Sequence, residues 1–263
     1  INTIKMKEQP ILFSTPMVQA NMDDAKTNTR RSTGLDEINE NPDKWNPYVG
    51  DFFIDKKGRI NQKFFNGSYS THVVCPYGQP GDLLWVREAH RKCDDGIYAY
   101  KADYTEDILN NQLNKGIWKP SLHMPKDAAR IWLQVEEIRA ERLNEISEED
   151  AISEGILSKK IQNCFWYDDY LQPNTFPHAN PIDSFKSLFL SINGKPKPQR
   201  ERGEKGKIVS YTAIAWDQQD FDIKWPKYHG IYRNKPLEVH VNPWVWVVKY
   251  KVLSTSGKPE IKS

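Results

Sequence analysis

The segment Arg130–Leu143 most constrains what this chain can fold into. Its apolar residues Ile131, Leu133 and Val135 fall at every second position. That is the period of a half-buried strand, because successive side chains of an extended chain point to opposite faces. Three further segments share strand character. Leu83–Glu88 has the composition of a buried strand with its charged end at the strand mouth. Gly96–Ala102 carries aromatics on one face, and Asn242–Val252 is a closing strand rich in Val and Trp.

Helices are few. Ser14–Ala25 offers an N-cap hydroxyl and a proline in the first turn, with Met17, Val18 and Met22 as its apolar side. Ser147–Gly155 has Ser147 and Asp150 at capping-box spacing, acidic residues in the first turn and a closing glycine. Pro181–Gly194 is amphipathic, with Ile182, Phe185, Leu188 or Phe189, and Ile192 as its stripe. Short strands dominate and the helices are not spaced as a βαβ series. The fold class expected is therefore α+β, a small mixed β-barrel with flanking helices and long loop insertions, rather than a doubly wound sheet.

The insertions are expected at about residues 35–75 and 195–240, within one domain spanning 6–253, with 1–5 and 254–263 as tails. The first contains Asp51–Ile54 and Lys63–Phe65 flanking a Lys-Lys-Gly-Arg turn, which predicts a hairpin. Residues 103–117 read as polar and loosely helical, and 157–180 as an aromatic, proline-bearing loop. Residues 195–207 hold six basic residues and two prolines and read as an exposed, mobile basic loop. Residues 208–240 carry aromatics without a period.

With 38% hydrophobic and 12% aromatic residues, the chain should fold. A net charge of +2 means that any nucleic-acid contact must come from a local patch. Three cysteines without a Cys-x-x-Cys spacing argue against a disulfide framework or zinc knuckle and for a reducing cytoplasm. No metal is assigned, since the six histidines show no ligand spacing, and no organic cofactor is indicated. Neither a membrane-spanning run nor a signal-peptide core is seen.

Near the N-terminus, Asp23–Arg31 places a lysine, two threonines and two arginines in six residues. Such a density of donors suits an anion or a polar heterocycle; the plainer alternative is a solvated basic turn.

These residues carry a resemblance. Pro10–Ser14, Lys26-Thr27-x-Thr29-Arg30-Arg31, Gly81-Asp82-x-Leu84-Trp85-Val86-Arg87-Glu88, His123-Met124-Pro125, Ile146–Ala151 and Asn242–Val248 resemble the ASCH-domain proteins of phages and prophages. The resemblance implies a PUA-like barrel that binds RNA or nucleotides, in a cytoplasmic protein of a bacterial host or its phage. The family's usual pattern has glycine two residues before the lysine, where this chain has Asp24. One branch is similar in outline to a small amidohydrolase that deacetylates acetylated cytidine. It implies catalytic roles for Lys26, Thr29 and Glu154, with Glu148 and Glu149 as alternatives for the carboxylate. A threonine hydroxyl needs a base to become a nucleophile, and a lysine serves only if burial or a neighbouring cation lowers its pKa. The plainer alternative is a capping Thr29 and a surface Lys26–Glu154 ion pair of little energetic weight.

Thr27, Arg30, Arg31, Trp85, Arg87, Glu88 and His123 are the candidate ligand-binding residues. Trp85, Trp118, Trp244 and Trp246 could stack on a base, although tryptophans at strand spacing are usually core. The expected function is recognition of RNA, or of a modified base, nucleoside or nucleotide, with DNA left open. The alternatives are amide hydrolysis on acylated cytidine-like nucleosides and a phage accessory module that binds another protein.

Overall fold

The computed structural model describes residues 6–56, 59–104, 108–109, 118–162, 164–172, 177–200, 208–219 and 230–260, with the side chains of 49–51 left aside. In chain order, β1 (Glu8–Leu12), α1 (Thr15–Met22), β2 (Asn28–Arg31) and the short α2 (Asp36–Asn39) come first. β3 (Asn46–Ile54), β4 (Ile60–Phe65), β5 (Ser70–Val74), β6 (Leu83–Arg87), β7 (His90–Lys92) and β8 (Tyr98–Tyr100) follow. The central strand β9 (Trp132–Arg142) leads into α3 (Glu148–Ser153), the hairpin β10 (Ser158–Ile161) and β11 (Cys164–Tyr167), and α4 (Pro181–Asn193). β12 (Lys197–Arg200), β13 (Ile208–Ala215), β14 (Ile231–Tyr232), β15 (Lys235–Val241) and β16 (Trp244–Ser254) complete the chain.

The main sheet is five-stranded and mixed, in the order β1-β6-β9-β16-β2. β1 runs parallel to β6; the other neighbours are antiparallel. The long alternating segment is its central strand, as its periodicity predicts. The apolar run Leu83–Val86 is buried on both sides: Leu84 and Val86 enter the larger core, Leu83 and Trp85 a smaller one with Met124 and Trp132. That is why β6 lacks the alternation of a half-buried strand.

The sheet is open, so the expected barrel is not closed, but it is far from flat. Laid flat, its outer strands would lie roughly 19 Å apart, four spacings of about 4.8 Å. Yet Arg31 Nη2 on β2 donates to the Leu12 carbonyl on β1 at 2.8 Å. A single side chain bridges the two free edges, so the sheet curls strongly about the core that α1 and α4 cover.

Several local readings change. Residues 26–31 are not a turn; Asn28–Arg31 is an edge strand paired with Lys249–Trp246 of β16. Met22 is exposed, so the buried side of α1 is Met17, Val18, Ala20 and Asn21. Within 157–180 the hairpin β10–β11 replaces part of the loop. Lys197–Arg200, read as mobile, is a strand paired with β13; residues 201–207 lie outside the described residues, as does most of 103–117. The hairpin predicted around residue 57 is present as β3–β4, and β5 extends it. Ser147 Oγ accepts from Asp150 N at 3.1 Å, capping α3. Among the described residues no helix is long and apolar enough to cross a membrane, and the three cysteines are free.

Burial of Cys75 has a measurable consequence. Its thiol is 1% exposed in the main core, and burial pushes its pKa from 9.0 to about 12. Tyr170 is likewise pushed from 10.0 to about 12 by burial. Above pH 9 the unfolded chain gives up the Cys75 proton while the folded chain keeps it. Stability attributable to the group is therefore full below pH 9 and falls toward pH 12, by about 1.4 kcal/mol per pH unit. Urea midpoints at pH 8 and 10.5 should show a smaller decline for Cys75→Ala than for the parent; parallel declines would rule this out.

Candidate functional site

Lys26 is brought inward by a reversal that begins where α1 ends. The Ala20 carbonyl accepts from both Ala25 N (2.8 Å) and Lys26 N (3.1 Å). Asp24 takes the left-handed conformation at φ 54°, which Asp tolerates better than most residues. Asp24 thus makes the tight turn without a glycine. Lys26 then forms an antiparallel bridge with Glu154 at the end of α3, and Thr27 N donates to Ser153 O at 2.9 Å. Gly155, at φ 78°, permits the approach: a Cβ there would lie 2.8 Å from the Cβ atoms of both Ala20 and Lys26. Sequence reasoning identifies Gly155 as a helix terminator and misses this second constraint.

The Lys26–Glu154 pair exists but is buried, which separates it from the surface ion pair of the plainer reading. Lys26 is 1% and Glu154 3% exposed. Lys26 Nζ donates to Glu154 Oε2 at 2.7 Å and to the Glu154 carbonyl at 2.6 Å. An ammonium has three donors, so one remains for a bound molecule. Desolvation lowers the Lys26 pKa, the Glu154 carboxylate opposes the shift, and Arg31 and Arg30 reinforce it; the net direction is down. Glu148 and Glu149, the alternative carboxylates, lie in the first turn of α3, and neither pairs with Lys26.

Arg30 ties this pair to β9 and α3. Its guanidinium meets Glu154 Oε1 at 3.3 Å, Glu141 Oε1 at 2.5 Å and Asp150 Oδ2 at 2.7 Å. Arg139 closes the network on Glu141 (3.1 Å) and Asp150 (2.5 Å). Three cations thus face three carboxylates. Burial alone would lower the Arg30 pKa, but Glu154 and Glu141 hold it above its ordinary value. Asp150 is raised by its own desolvation and pulled down further by Arg30, for a net shift downward. Tyr250 lies behind the site, fully buried, donating to Asn21 Oδ1 at 3.0 Å.

A cavity of about 280 Å³ opens on this cluster, just below the roughly 300–1,000 Å³ range of small-molecule sites. Lys26, Thr29, Arg30, Arg31 and Glu154 border it, and its apolar walls come from Phe13, Met17 and the α4 residues Phe185, Leu188 and Phe189. Cations lie against those rings: Lys26 Nζ is 5.5 Å and Arg31 Cζ 5.1 Å from the Phe13 centroid, and Arg30 Cζ 5.8 Å from that of Phe185. Such contacts stabilise a cation by roughly 0.5–2 kcal/mol while leaving its remaining donors free. A second cavity of about 420 Å³ adjoins, sharing Ser32, Thr33, Asn193 and Lys197 with the first. The α4 wall was not identified from the sequence, where Phe185 and Leu188 have the same periodicity as any core stripe.

The other candidates lie elsewhere. Thr27 and the group Trp85, Arg87, Glu88 and His123 do not border the cavity. Glu88 is 1% exposed and grips Arg130 in a two-pronged contact, Nε–Oε1 2.9 Å and Nη2–Oε2 3.0 Å. Burial raises its pKa and Arg130 opposes that shift. Trp85 is core, Arg87 donates to the Leu122 carbonyl, and His123 is exposed. Trp244 and Trp246 are also core, while Trp118 is half-buried. Among the described residues no cluster of three or more His, Cys, Asp or Glu is placed to hold a metal ion. No protein-family model, curated protein or solved structure matches the chain.

Proposed function

We propose that the Lys26 cavity binds a nucleoside or nucleotide, free or as an unpaired base of RNA. The observation that carries this reading is that Lys26, Thr29 and Glu154, separated by up to 128 positions in sequence, border one cavity with aromatic walls. An aromatic ring offers a face to a heterocycle, and Lys26 and Arg31 offer donors to its carbonyl or to phosphate. In this reading the curled sheet is the incomplete barrel of an ASCH domain of the PUA-like type, in a phage or prophage protein working in a bacterial cytoplasm.

A second reading, amide hydrolysis, is favoured by the downward pKa shift of Lys26 beside a cavity that Thr29 borders. Neutral Lys26 would take the Thr29 hydroxyl proton as the oxygen attacks the acyl carbonyl. The collapsing intermediate would return that proton to the departing exocyclic amine, leaving an acyl-threonine ester for water to cleave.

Calorimetric titration with cytidine, acetylcytidine and CMP tests binding. A dissociation constant below about 1 mM is expected for at least one, lost in Lys26→Ala; about 1.4 kcal/mol accompanies each tenfold change. Absence of any nucleoside, nucleotide or RNA binding would refute the proposal. Acetate released one-for-one with cytidine, and abolished in Thr29→Val, would establish the hydrolytic version.

A further inference from the structure

Away from the Lys26 cavity, a row of cations lies along β6, β7 and the segment before β9. Arg87 Cζ sits 5.5 Å from the Trp85 ring centroid, and Arg91 Cζ 5.4 Å from that of Trp118. β7 holds the segment that follows Trp118 through a two-way backbone bridge: His90 N donates to Lys119 O at 3.2 Å and Lys119 N to His90 O at 2.8 Å. Lys119 and His123 are exposed, Arg87 and Arg91 half-exposed. Burial lowers the His90 pKa, a hydrogen bond with Glu88 O opposes it, and the positive charges of Lys119, Arg87 and His123 add to the depression.

Nothing described neutralises this row. The buried Glu88 and the exposed Asp103 are both taken by Arg130. Asp94 and Asp95 sit at the tip of the β7–β8 hairpin, where Asp95 caps Ile97 N. Among the described residues no carboxylate pairs with Arg87, Arg91, Lys119 or His123; the Nε of Arg87 and of Arg91 is buried without an acceptor, while Arg87 Nη2 donates to the Leu122 carbonyl. A chain of net charge +2 has concentrated three permanent charges on one strip.

One backbone hydrogen bond joins the strand that carries Arg87 to a residue of the cavity wall. Phe13, a cavity wall, donates its N–H to the Arg87 carbonyl at 3.1 Å. Arg31, whose Nε is likewise without an acceptor, lies over the same Phe13 ring. We infer that the strip Arg87–His123–Lys119–Arg91 carries the sugar-phosphate backbone of a single RNA strand, one base of which enters the Lys26 cavity. The inference rests on the nucleoside reading of that cavity for the base, and on charge complementarity for the backbone. A guanidinium held beside a tryptophan ring keeps further N–H groups that can donate to phosphate. A base must leave its stack and its partner to enter a pocket, which selects an unpaired strand.

The test is fluorescence anisotropy of a labelled ten-nucleotide RNA across a potassium chloride series. Three phosphate contacts on a single strand predict a log–log salt slope of about −2. Lys119→Gln and Arg91→Gln should each weaken binding about three- to tenfold and each reduce the slope by about 0.7, while titration of free cytidine or acetylcytidine is unchanged. Lys119 contributes only backbone atoms to the fold here, so its variant remains informative if Arg91→Gln proves unstable. Unchanged RNA affinity in both variants would overturn the inference, as would equally tight binding of duplex RNA or of an acidic peptide. Equal affinity for a DNA strand would overturn the assignment to RNA. Loss of nucleoside binding with strip-dependent RNA affinity intact would refute the cavity reading alone.

Discussion

Gly155→Ala is expected to destabilise the fold by about 3 kcal/mol and to abolish binding at the Lys26 cavity. Two costs combine. A residue with a Cβ at φ 78° incurs about 1–2 kcal/mol of left-handed strain. The new methyl would also lie 2.8 Å from both Ala20 Cβ and Lys26 Cβ, and overpacking of this kind costs about 1–3 kcal/mol. Neither neighbour can swing away, since a Cβ is fixed to its backbone, and the Lys26 backbone is itself bridged to Glu154. The matched control is Gly81→Ala. Gly81 has φ 93° and nothing within 4 Å of a built Cβ, so it should show the conformational cost alone. Urea unfolding of the two variants separates the terms. Equal losses would mean that the contact with Lys26 carries no weight.

That contrast also marks what could be read from the sequence. β9 and β6 were legible because their burial leaves a mark on local order: alternation where one face is wet, an unbroken apolar run where both are dry. α3 was legible through its cap, Ser147, and α4 through its apolar stripe, although the Asn180 cap of α4 was not read. β2 was not, because Lys-Thr-Asn-Thr-Arg-Arg has no apolar period. Its pairing with β16 is set by tertiary contacts, and its charges are matched by Glu141, Asp150 and Glu154, more than a hundred residues away. The same distance explains the site. The candidate residues fall into different places, Lys26, Thr29, Arg30, Arg31 and Glu154 at the cavity and Arg87 with His123 on the basic strip. Sequence order says nothing about which end of a curled sheet a loop will reach. The barrel was expected from the predominance of short strands, from helices not spaced as a βαβ series and from the resemblance; closure depends on edge pairing between β1 and β2, which these sequences do not encode and which the Arg31 side chain spans instead.

The second large effect concerns the buried pair. Glu154→Gln should cost about 3–5 kcal/mol, the usual penalty for leaving one partner of a buried ion pair behind. Glu154 is the group that opposes the desolvation of Lys26, so without it the Lys26 pKa falls further. Lys26→Met should cost less, about 2 kcal/mol, because Glu154 keeps Arg30 Nη1 at 3.3 Å. In the double variant Lys26→Met/Glu154→Gln no unpaired charge remains, and its loss should fall well below the sum of the singles, by about 2–3 kcal/mol of coupling. The pH dependence has a definite sign. In Glu154→Gln the folded-state pKa of Lys26 lies below its unfolded value of 10.5. Between the two, the unfolded chain binds the extra proton, so stability rises with pH and the deficit shrinks toward 10.5. Urea midpoints of all four proteins at pH 7 and pH 9.5 measure both quantities. Additive losses would show that Lys26 and Glu154 do not depend on each other. Ligand binding should be lost in all three variants, including the double one whose loss of stability falls below the sum of the singles. In the proposed reading the pair owes its place to what the third Lys26 donor meets in the cavity, since well-packed apolar residues often replace a buried ion pair without loss of stability.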